Sequence, residues 1–150
     1  MLTVGSKAPL FEADSTQGAI QLAQYIGKQP IVLIFYPMDE TPGCTKQLCA
    51  VRDSRALYAR HNAVVLGVNP ASLEHHRQFA EKNNYDFPLV VDAGGDIRKS
   101  YGVGKFLGLI AQQRVVFIID QEGKIVFAEK GLRPTEEILG VLQSLSSTHQ

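Results

Sequence analysis

The sequence predicts an α/β fold in which a mixed central sheet is flanked by helices. Three apolar runs rich in β-branched and aromatic residues carry this prediction: 31–36 (IVLIFY), 64–68 (VVLGV) and 115–119 (VVFII). Because these runs do not alternate with polar residues, they are typical of strands that are buried on both faces. Segments of helical length lie between or after them, and such strand–helix–strand units imply right-handed crossovers and helices on both faces of the sheet.

The first half of the chain begins with two short strands. Residues 9–22 predict these strands around a turn at 16–18, where Thr-Gln-Gly stands. The buried strand 31–36 then leads into 41–61, which is long enough for a helix before the strand 64–68. The apolar stripe of that helix contains Cys44, Leu48, Val51 and Tyr58.

The middle of the chain contains two predicted helices with one strand between them. A helix is predicted over roughly 71–83, after Pro70, and a short strand follows near 89–91. Residues 94–101 predict one further helix, which Gly102 stops. The apolar residues that follow Gly102 are expected to lie in a loop.

The chain closes with a hairpin and a helix. Residues 121–123 (QEG) join the strand 115–119 to a strand over 124–129. Pro134 starts an amphipathic helix with Ile138, Leu139, Leu142 and Leu145 on its apolar face. The order of hairpin, βαβ, αβ and ββα matches a thioredoxin-like fold with an N-terminal β-hairpin extension. We expect residues 1–150 to form one such domain.

Composition narrows the class of function. The chain has 150 residues, 45% of them hydrophobic, which is enough for one sizeable core. Fifteen basic and fifteen acidic residues balance, and neither sign forms a long run, so we expect no nucleic-acid or anionic-membrane partner. No apolar stretch has the length of a signal peptide or of a membrane span, so a cytoplasmic location is expected.

The two cysteines, Cys44 and Cys49, are too few for a disulfide-stapled secreted scaffold. A reducing compartment with catalytic or redox-active thiols is the favoured interpretation. The alternative is that both are buried and act as small hydrophobic residues.

The segment 36–49 (YPMDETPGCTKQLC) lies where a buried strand gives way to a helix, at the end of the sheet where α/β folds usually place ligands. Thr41 suits the N-cap and Pro42 the first helical position, which puts Cys44 in the first turn. The free N–H groups and the positive dipole end of that turn favour an anion. A thiolate is therefore favoured at Cys44.

A helix terminus alone does not ionise a thiol. A thiol pKa near 8.5 gives ~3% thiolate at neutral pH, and a pKa near 6 would give ~90%. That shift corresponds to roughly 3.4 kcal/mol, whereas a helix end supplies about 0.3–1 kcal/mol. Arg114, directly before the strand 115–119, is the candidate cation, provided that this strand lies beside 31–36. The alternative is a solvated strand-end arginine; Arg52, Arg55 and Arg60 are expected on the solvated side of the helix.

Helix geometry separates the two cysteines. Positions i and i+5 have Cα atoms roughly 8.6 Å apart, and their side chains diverge by about 140°. A disulfide needs Cα atoms within ~7 Å and converging Cβ atoms. Either Cys44 and Cys49 never pair, or the first turns of the helix unwind when they do.

Two rival uses of these residues are disfavoured. The C-x4-C spacing is not a standard zinc pair, and no other cysteine pair or spaced histidine pair completes four ligands. The histidines are therefore interpreted as surface or core residues: His61, His75, His76 and His149. A thioredoxin-type C-x-x-C is also absent, which argues against an ordinary disulfide reductase.

The motif resembles that of the peroxiredoxins, P-x-x-x-T/S-x-x-C, which Pro37, Thr41 and Cys44 satisfy. A second cysteine five positions on is similar to the Q-type branch, also called bacterioferritin comigratory proteins. The resemblance extends through GSKAPLFEAD, VVLGVNPASLEHHRQFAEKNNYDFPLVVD and RVVFIIDQEGKIV, and so covers nearly the whole chain.

The resemblance implies a role for each matched residue. Cys44 would be the peroxidatic nucleophile and Cys49 the resolving thiol. Thr41 would place its hydroxyl on the peroxide or the thiolate, and Pro37 would shield the site from water. Arg114 would hold thiolate and peroxide together. The backbone N–H groups of Gly43 and Cys44 would bind the peroxide oxygen.

Two positions depart from the family pattern, and one segment is unusual. Val116 stands where the family often has threonine, and Asn69 where it often has serine. The connection 102–113 (GVGKFLGLIAQQ) resembles plant and cyanobacterial members and carries Phe106, Leu107, Leu109 and Ile110. These apolar residues are expected to cap the core; a contact with a reductant or with a second copy is the alternative.

The implied activity is a thiol-dependent peroxidase without a metal, haem or flavin cofactor. Hydrogen peroxide or an organic hydroperoxide would be its substrate. Its reductant would be thioredoxin, with glutaredoxin as the alternative. We expect a monomer, with a weak dimer as the alternative. Two other classes stay open: a redox sensor that uses the cysteine switch to bind a partner, and a non-catalytic module with an ordinary thiol pKa.

Overall fold

The computed structural model describes residues 1–106 and 111–148, except for the side chains of Cys44, Phe106, Ser147 and Thr148. In chain order its elements are β1 (Glu12–Ala13), β2 (Ile20–Gln21), β3 (Ile31–Phe35), α1 (Pro42–Asp53), α2 (Arg55–Arg60), β4 (Val64–Asn69), α3 (Leu73–Asn83), β5 (Leu89–Val91), α4 (Asp96–Ser100), β6 (Lys105–Phe106), β7 (Ala111–Gln112), β8 (Val115–Ile119), β9 (Ile125–Lys130) and α5 (Thr135–Thr148). Among these described helices, none is both long and apolar enough to cross a membrane.

A five-stranded mixed sheet in the order β5-β4-β3-β8-β9 forms the centre of the fold. Strand β3 runs parallel to β4, and β4 runs parallel to β5. The pairs β3–β8 and β8–β9 are antiparallel. Strands β1 and β2 pair separately as an antiparallel hairpin. The mixed sheet and the N-terminal hairpin are therefore confirmed.

The sheet is buried on both faces, which explains why its strands lack a polar alternation. Every residue of β3 and β8 is at most 1% exposed. Successive residues of a strand point to opposite faces, so Val32 and Ile34 join one apolar cluster while Leu33 and Phe35 join the other. The first cluster takes in side chains from four helices: Leu48 of α1, Tyr58 of α2, Phe79 of α3 and Ile138 of α5. The second includes Ile97 of α4.

The segment 41–61 forms two helices and not one. Ser54 lies between α1 and α2 with φ −103° and ψ 12°. Its N–H donates to the Ala50 carbonyl (3.1 Å), and its own carbonyl accepts from the N–H of Tyr58 (3.1 Å). Hydrogen bonding thus continues across the bend, at a residue type that competes with helical geometry.

Two other helix boundaries differ from the sequence prediction. Helix α3 begins at Leu73 because Ser72 is its N-cap, whose hydroxyl accepts from the N–H of His75 (3.2 Å). The predicted helix 94–101 is a short 3₁₀ turn followed by α4. Gly102 follows it with a φ of 68°, in the left-handed region expected at a helix stop.

The connection 102–113 is not the simple loop that was expected. Strands β6 and β7 pair antiparallel, and the N–H of Gln113 donates to the Gly104 carbonyl (2.8 Å). This hairpin satisfies backbone groups that an irregular loop would leave to water. The expectation that apolar residues of this connection cap the core concerns the Phe106 side chain and residues Leu107, Leu109 and Ile110, which lie outside the described part of the chain.

Candidate active site

The motif residues Pro37, Thr41 and Cys44 lie at the junction of β3 and α1, as the sequence predicts. Thr41 occupies the N-cap position in extended conformation, and Pro42 is the first helical residue. The N–H of Thr45 donates to the Thr41 carbonyl (2.9 Å) and opens the helical ladder. Cys44 is therefore the third residue of the helix. Its side chain lies outside the described part of the structure.

Thr41 does not use its hydroxyl as the expected helix cap. The hydroxyl donates instead to the Met38 carbonyl (3.0 Å), and α1 has no side-chain cap at its start. The first N–H groups of a helix have no acceptor within the helix. The N–H groups of Gly43 and Cys44, in this turn, are therefore not engaged by a capping side chain.

Arg114 lies against the first turn of α1. Phe35 pairs with Val115 across β3 and β8, which brings the residue before β8 to the end of β3 and confirms the expected strand neighbour. Atom Nη2 of Arg114 is 3.1 Å from the place that a Cβ on Gly43 would occupy. A side chain at position 43 would require the guanidinium to shift by a few tenths of an ångström, so the close packing here favours glycine.

Gln47 fixes the arginine and was not identified from the sequence. Its Oε1 accepts a hydrogen bond from Nη1 of Arg114 at 2.6 Å, and the residue is 6% exposed. Gln47 lies one helical turn after Cys44, on the same side of α1. That i,i+3 spacing was the available signal, but it does not reveal which side chain on the facing strand Gln47 would meet.

Cys49 is a half-buried free thiol and the eighth residue of α1. Its Sγ is 3.3 Å from the hydroxyl of Tyr85, which also donates to the Thr45 carbonyl at 3.3 Å. Burial, and then the contact with Cys49, raise the pKa of Tyr85 well above its ordinary value, so the phenol stays protonated. Since α1 runs unbroken through both cysteines, their Cα atoms are roughly 8.6 Å apart and a disulfide requires the helix to unwind.

Arg52, which was expected on the solvated side of α1, is only partly exposed and also contacts α3. Its side chain is 30% exposed, and Nη1 donates to the Asn83 carbonyl at 2.7 Å. That carbonyl belongs to the last turn of α3, where the negative end of the helix attracts a cation. The hydrogen bond to Asp53 is the main cause that raises the pKa of Arg52. Arg55 and Arg60 are exposed, as predicted.

Two buried amides anchor the end of β3. The carbonyl of Tyr36 accepts from Nδ2 of Asn69 (2.9 Å) and from Nε2 of Gln112 (2.8 Å). Asn69 thus has a structural use at the position where the family often has serine, while Val116 is fully buried in the core. Half-buried Pro37 lies beside these amides, at a cavity of about 440 Å³ that Met38 and Arg98 also line.

A buried hydrogen bond between a histidine and a carboxylate ties the segment before Cys44 to α3. Atom Nδ1 of His76 is 2.7 Å from Oδ2 of Asp39, and Nε2 is 3.1 Å from the Asn69 carbonyl. The phenol of Tyr36 donates to the other oxygen of Asp39 (2.6 Å). Both ring nitrogens of His76 therefore lie within hydrogen-bond distance of an oxygen. The next residue, Glu40, has a φ of 63°, a left-handed turn that this anchor helps to hold.

The other histidines were expected at the surface or in the core. His75 is exposed and His61 is half-buried, while His149 lies outside the described residues. His76 is a core residue, with no exposed side-chain surface. Among the described side chains, which do not include that of Cys44, no group of three or more His, Cys, Asp and Glu is arranged to hold a metal ion.

Replacing His76 by alanine should strongly destabilise the fold. The change leaves Asp39, whose side chain is 9% exposed, without one of its hydrogen-bond partners, and removing a partner from a buried polar group costs about 1–3 kcal/mol. Urea unfolding measures the loss. His75→Ala is the matched control on the same helix, and we expect it to change the free energy of unfolding by less than about 0.5 kcal/mol. Equal unfolding midpoints for the two variants would contradict this role of the pair.

Proteins of known family are similar to this chain in sequence. The AhpC/TSA family matches residues 4–128. Peroxiredoxin Bcp of Bacillus subtilis is 36% identical over 153 residues, covering 96% of this chain and 95% of the relative. Chloroplastic peroxiredoxin Q of Sedum lineare is 37% identical over 149 residues, covering 96% of this chain and 80% of the relative.

Solved structures agree with the sequence relatives. Peroxidoxin BcpB of Mycobacterium tuberculosis superposes with a TM-score of 0.89 at 28% identity, covering 97% of this chain and 99% of that one. Peroxiredoxin Q of Xanthomonas campestris gives a TM-score of 0.81 at 26% identity, covering 93% and 92%. The thioredoxin-like fold is thereby confirmed, and the family implies thiol-dependent reduction of peroxides. The chain belongs to the AhpC/TSA family, and its relatives there are the peroxiredoxins of the Bcp and Q type.

Proposed function

We propose that this chain, as one domain over residues 1–150, reduces hydrogen peroxide and organic hydroperoxides through Cys44 and recycles through an intramolecular disulfide with Cys49. The observation that carries the proposal is the position of Arg114. Its guanidinium lies against Gly43, in the helical turn that contains Cys44, and Gln47 holds it there. A cation and a helix N-terminus thus converge on one turn, and both favour a thiolate.

In the first step the Cys44 thiolate attacks one peroxide oxygen. A sulfur–oxygen bond forms as the O–O bond breaks, and the departing oxygen takes a proton and leaves as water or an alcohol. The sulfur is oxidised by two electrons to a sulfenic acid, and the peroxide is reduced by the same two electrons. Arg114 and the N–H groups of Gly43 and Cys44 stabilise the shifting charge. Thr41, whose proton goes to the Met38 carbonyl, orients the peroxide by accepting from its O–H group, and Pro37 limits access of water.

In the second step the start of α1 unwinds and Cys49 reaches the oxidised sulfur. The Cys49 sulfur displaces the hydroxyl of the sulfenic acid, which leaves as water, and a disulfide forms. An external dithiol then reduces that disulfide by thiol exchange. Thioredoxin is the proposed donor, with glutaredoxin as the alternative, and the proposed role is antioxidant defence and redox homeostasis in the cytoplasm.

Cys49→Ser tests this sequence of steps. We expect the first oxidation to proceed at the wild-type rate and to stop at the sulfenic acid, because no second thiol remains in the chain. Turnover with thioredoxin should fall at least roughly a hundredfold. Mass spectrometry after one equivalent of peroxide distinguishes the sulfenic acid, trapped with dimedone, from the wild-type disulfide. Undiminished turnover of the variant would exclude Cys49 as the resolving thiol.

A further inference from the structure

We propose that Tyr85 is a positioning residue that holds the resolving thiol of Cys49 in the folded helix and thereby slows disulfide formation. This inference rests on the proposed function. Tyr85 lies outside the motif segment, 36 residues after Cys49, and its hydroxyl contacts both Cys49 and the carbonyl of Thr45. Thr45 directly follows Cys44, so one phenol touches α1 beside each cysteine.

The position of Tyr85 is fixed independently of α1. Its N–H donates to the Ala80 carbonyl (2.9 Å) directly after α3, where Asn84 turns the chain with a φ of 56°. The ring packs edge-on against Phe79 and also contacts Phe87, with centroids 5.2 Å away in each case, and the residue is 7% exposed. The Tyr85 side chain is therefore held in place by its own neighbours, and its hydroxyl contacts α1 at Thr45 and Cys49.

The directions of the two hydrogen bonds of the Tyr85 hydroxyl follow from its single proton. A carbonyl oxygen only accepts, so the phenol donates to Thr45. Its oxygen is then the acceptor for the thiol proton of Cys49. The chain of donors runs from Cys49 through Tyr85 to Thr45, and it requires both an intact helix and a reduced Cys49.

Formation of the disulfide removes both of these bonds. Cys49 loses its thiol proton when its sulfur bonds to Cys44, and the Thr45 carbonyl moves away as the first turns unwind. The phenol therefore stabilises the state before resolution and not the disulfide product. Tyr85 should lengthen the lifetime of the sulfenic acid, during which a second peroxide oxidises Cys44 to the sulfinic acid.

Tyr85→Phe keeps the aromatic packing and deletes both hydrogen bonds. We expect disulfide formation to become about tenfold faster, because two net hydrogen bonds are lost from the starting state. The rate of the first oxidation should stay within about twofold of wild type. The fraction of Cys44 that reaches the sulfinic acid at high peroxide should fall in proportion.

Tyr58→Phe is the matched control. Tyr58 is also a buried tyrosine, 3% exposed, and its hydroxyl has no hydrogen-bond partner among the described residues. We expect the loss of the Tyr58 hydroxyl to leave the rate constants of the first oxidation and of disulfide formation unchanged. The chain has no tryptophan, so acid quench followed by mass spectrometry is the suitable readout of sulfenic acid and disulfide over time.

The outcomes separate this inference from the proposed function. If wild-type protein forms no disulfide between Cys44 and Cys49 with peroxide, the proposed function fails. If it does, and Tyr85→Phe resolves at or below the wild-type rate, only the role of Tyr85 is overturned. A general loss of stability would change the first oxidation as well, and urea unfolding of both tyrosine variants checks for it.

Discussion

Replacing Cys44 by serine should abolish peroxide consumption. A serine hydroxyl is not ionised at neutral pH, whereas the proposed first step needs an anionic sulfur at the start of α1. We expect the second-order rate constant for hydrogen peroxide to fall by at least roughly a thousandfold. The measurement is consumption of peroxide by purified, metal-free protein, with and without a thioredoxin system.

The control for this variant is Cys49→Ser, which keeps the attacking thiol. A single exposure to peroxide should oxidise the Cys49→Ser protein once and leave Cys44→Ser unchanged in mass. Circular dichroism establishes that both variants are folded. Near-normal turnover by Cys44→Ser would overturn the assignment. Slow turnover of the wild type, together with a large change in partner affinity on oxidation, would instead indicate a redox sensor.

The sheet could be predicted from the sequence because its signal is local. The unbroken apolar runs that became β3 and β8 are fully buried, and their order along the chain leaves few topologies. The same locality placed Thr41 at the N-cap and Cys44 in the first turn. The break at Ser54 was missed because a bend that preserves the hydrogen bonds leaves the helical apolar stripe intact.

The contacts that organise the site could not be predicted, because each joins side chains far apart in the chain. Gln47 meets Arg114 across 67 residues, and Asp39 meets His76 across 37. A sequence pattern assigns residues to a face or to an element end, but it does not specify which polar atoms then come within 3 Å. Arg52 is an example, because one of its partners is a backbone carbonyl at the end of α3, and no pattern of side chains predicts that contact.

Arg114→Ala should raise the pKa of the Cys44 thiol and slow the reaction with peroxide. The helix end supplies about 0.3–1 kcal/mol of the roughly 3.4 kcal/mol required, so most of the shift is assigned to the arginine. We expect the pKa to rise toward the ordinary thiol value near 8.5, which lowers the thiolate fraction at pH 7. A further loss of roughly tenfold to a hundredfold is expected, because the guanidinium no longer stabilises the transition state.

A pH profile separates these two contributions. The proposed function requires a depressed pKa of Cys44 in the wild type, so its advantage in ionisation should be present at neutral pH and should disappear above the raised pKa of the variant. Between pH 7 and pH 9 the ratio of wild-type to variant rates should therefore narrow and then level off. The residual ratio at pH 9 measures what the arginine contributes beyond ionisation.

Alkylation by iodoacetamide, followed by mass spectrometry in a Cys49→Ser background, reports the pKa of the single remaining thiol. Arg55→Ala is the control, because Arg55 is an exposed arginine on the neighbouring helix α2 whose partner is the exposed Asp86. We expect that control to titrate like the parent protein, since a charge in water is screened. If the alkylation profile of Arg114→Ala also coincides with the parent profile, Arg114 is not the cation that ionises Cys44. The helix terminus would then have to stabilise the thiolate by more than the about 0.3–1 kcal/mol that a helix end typically supplies.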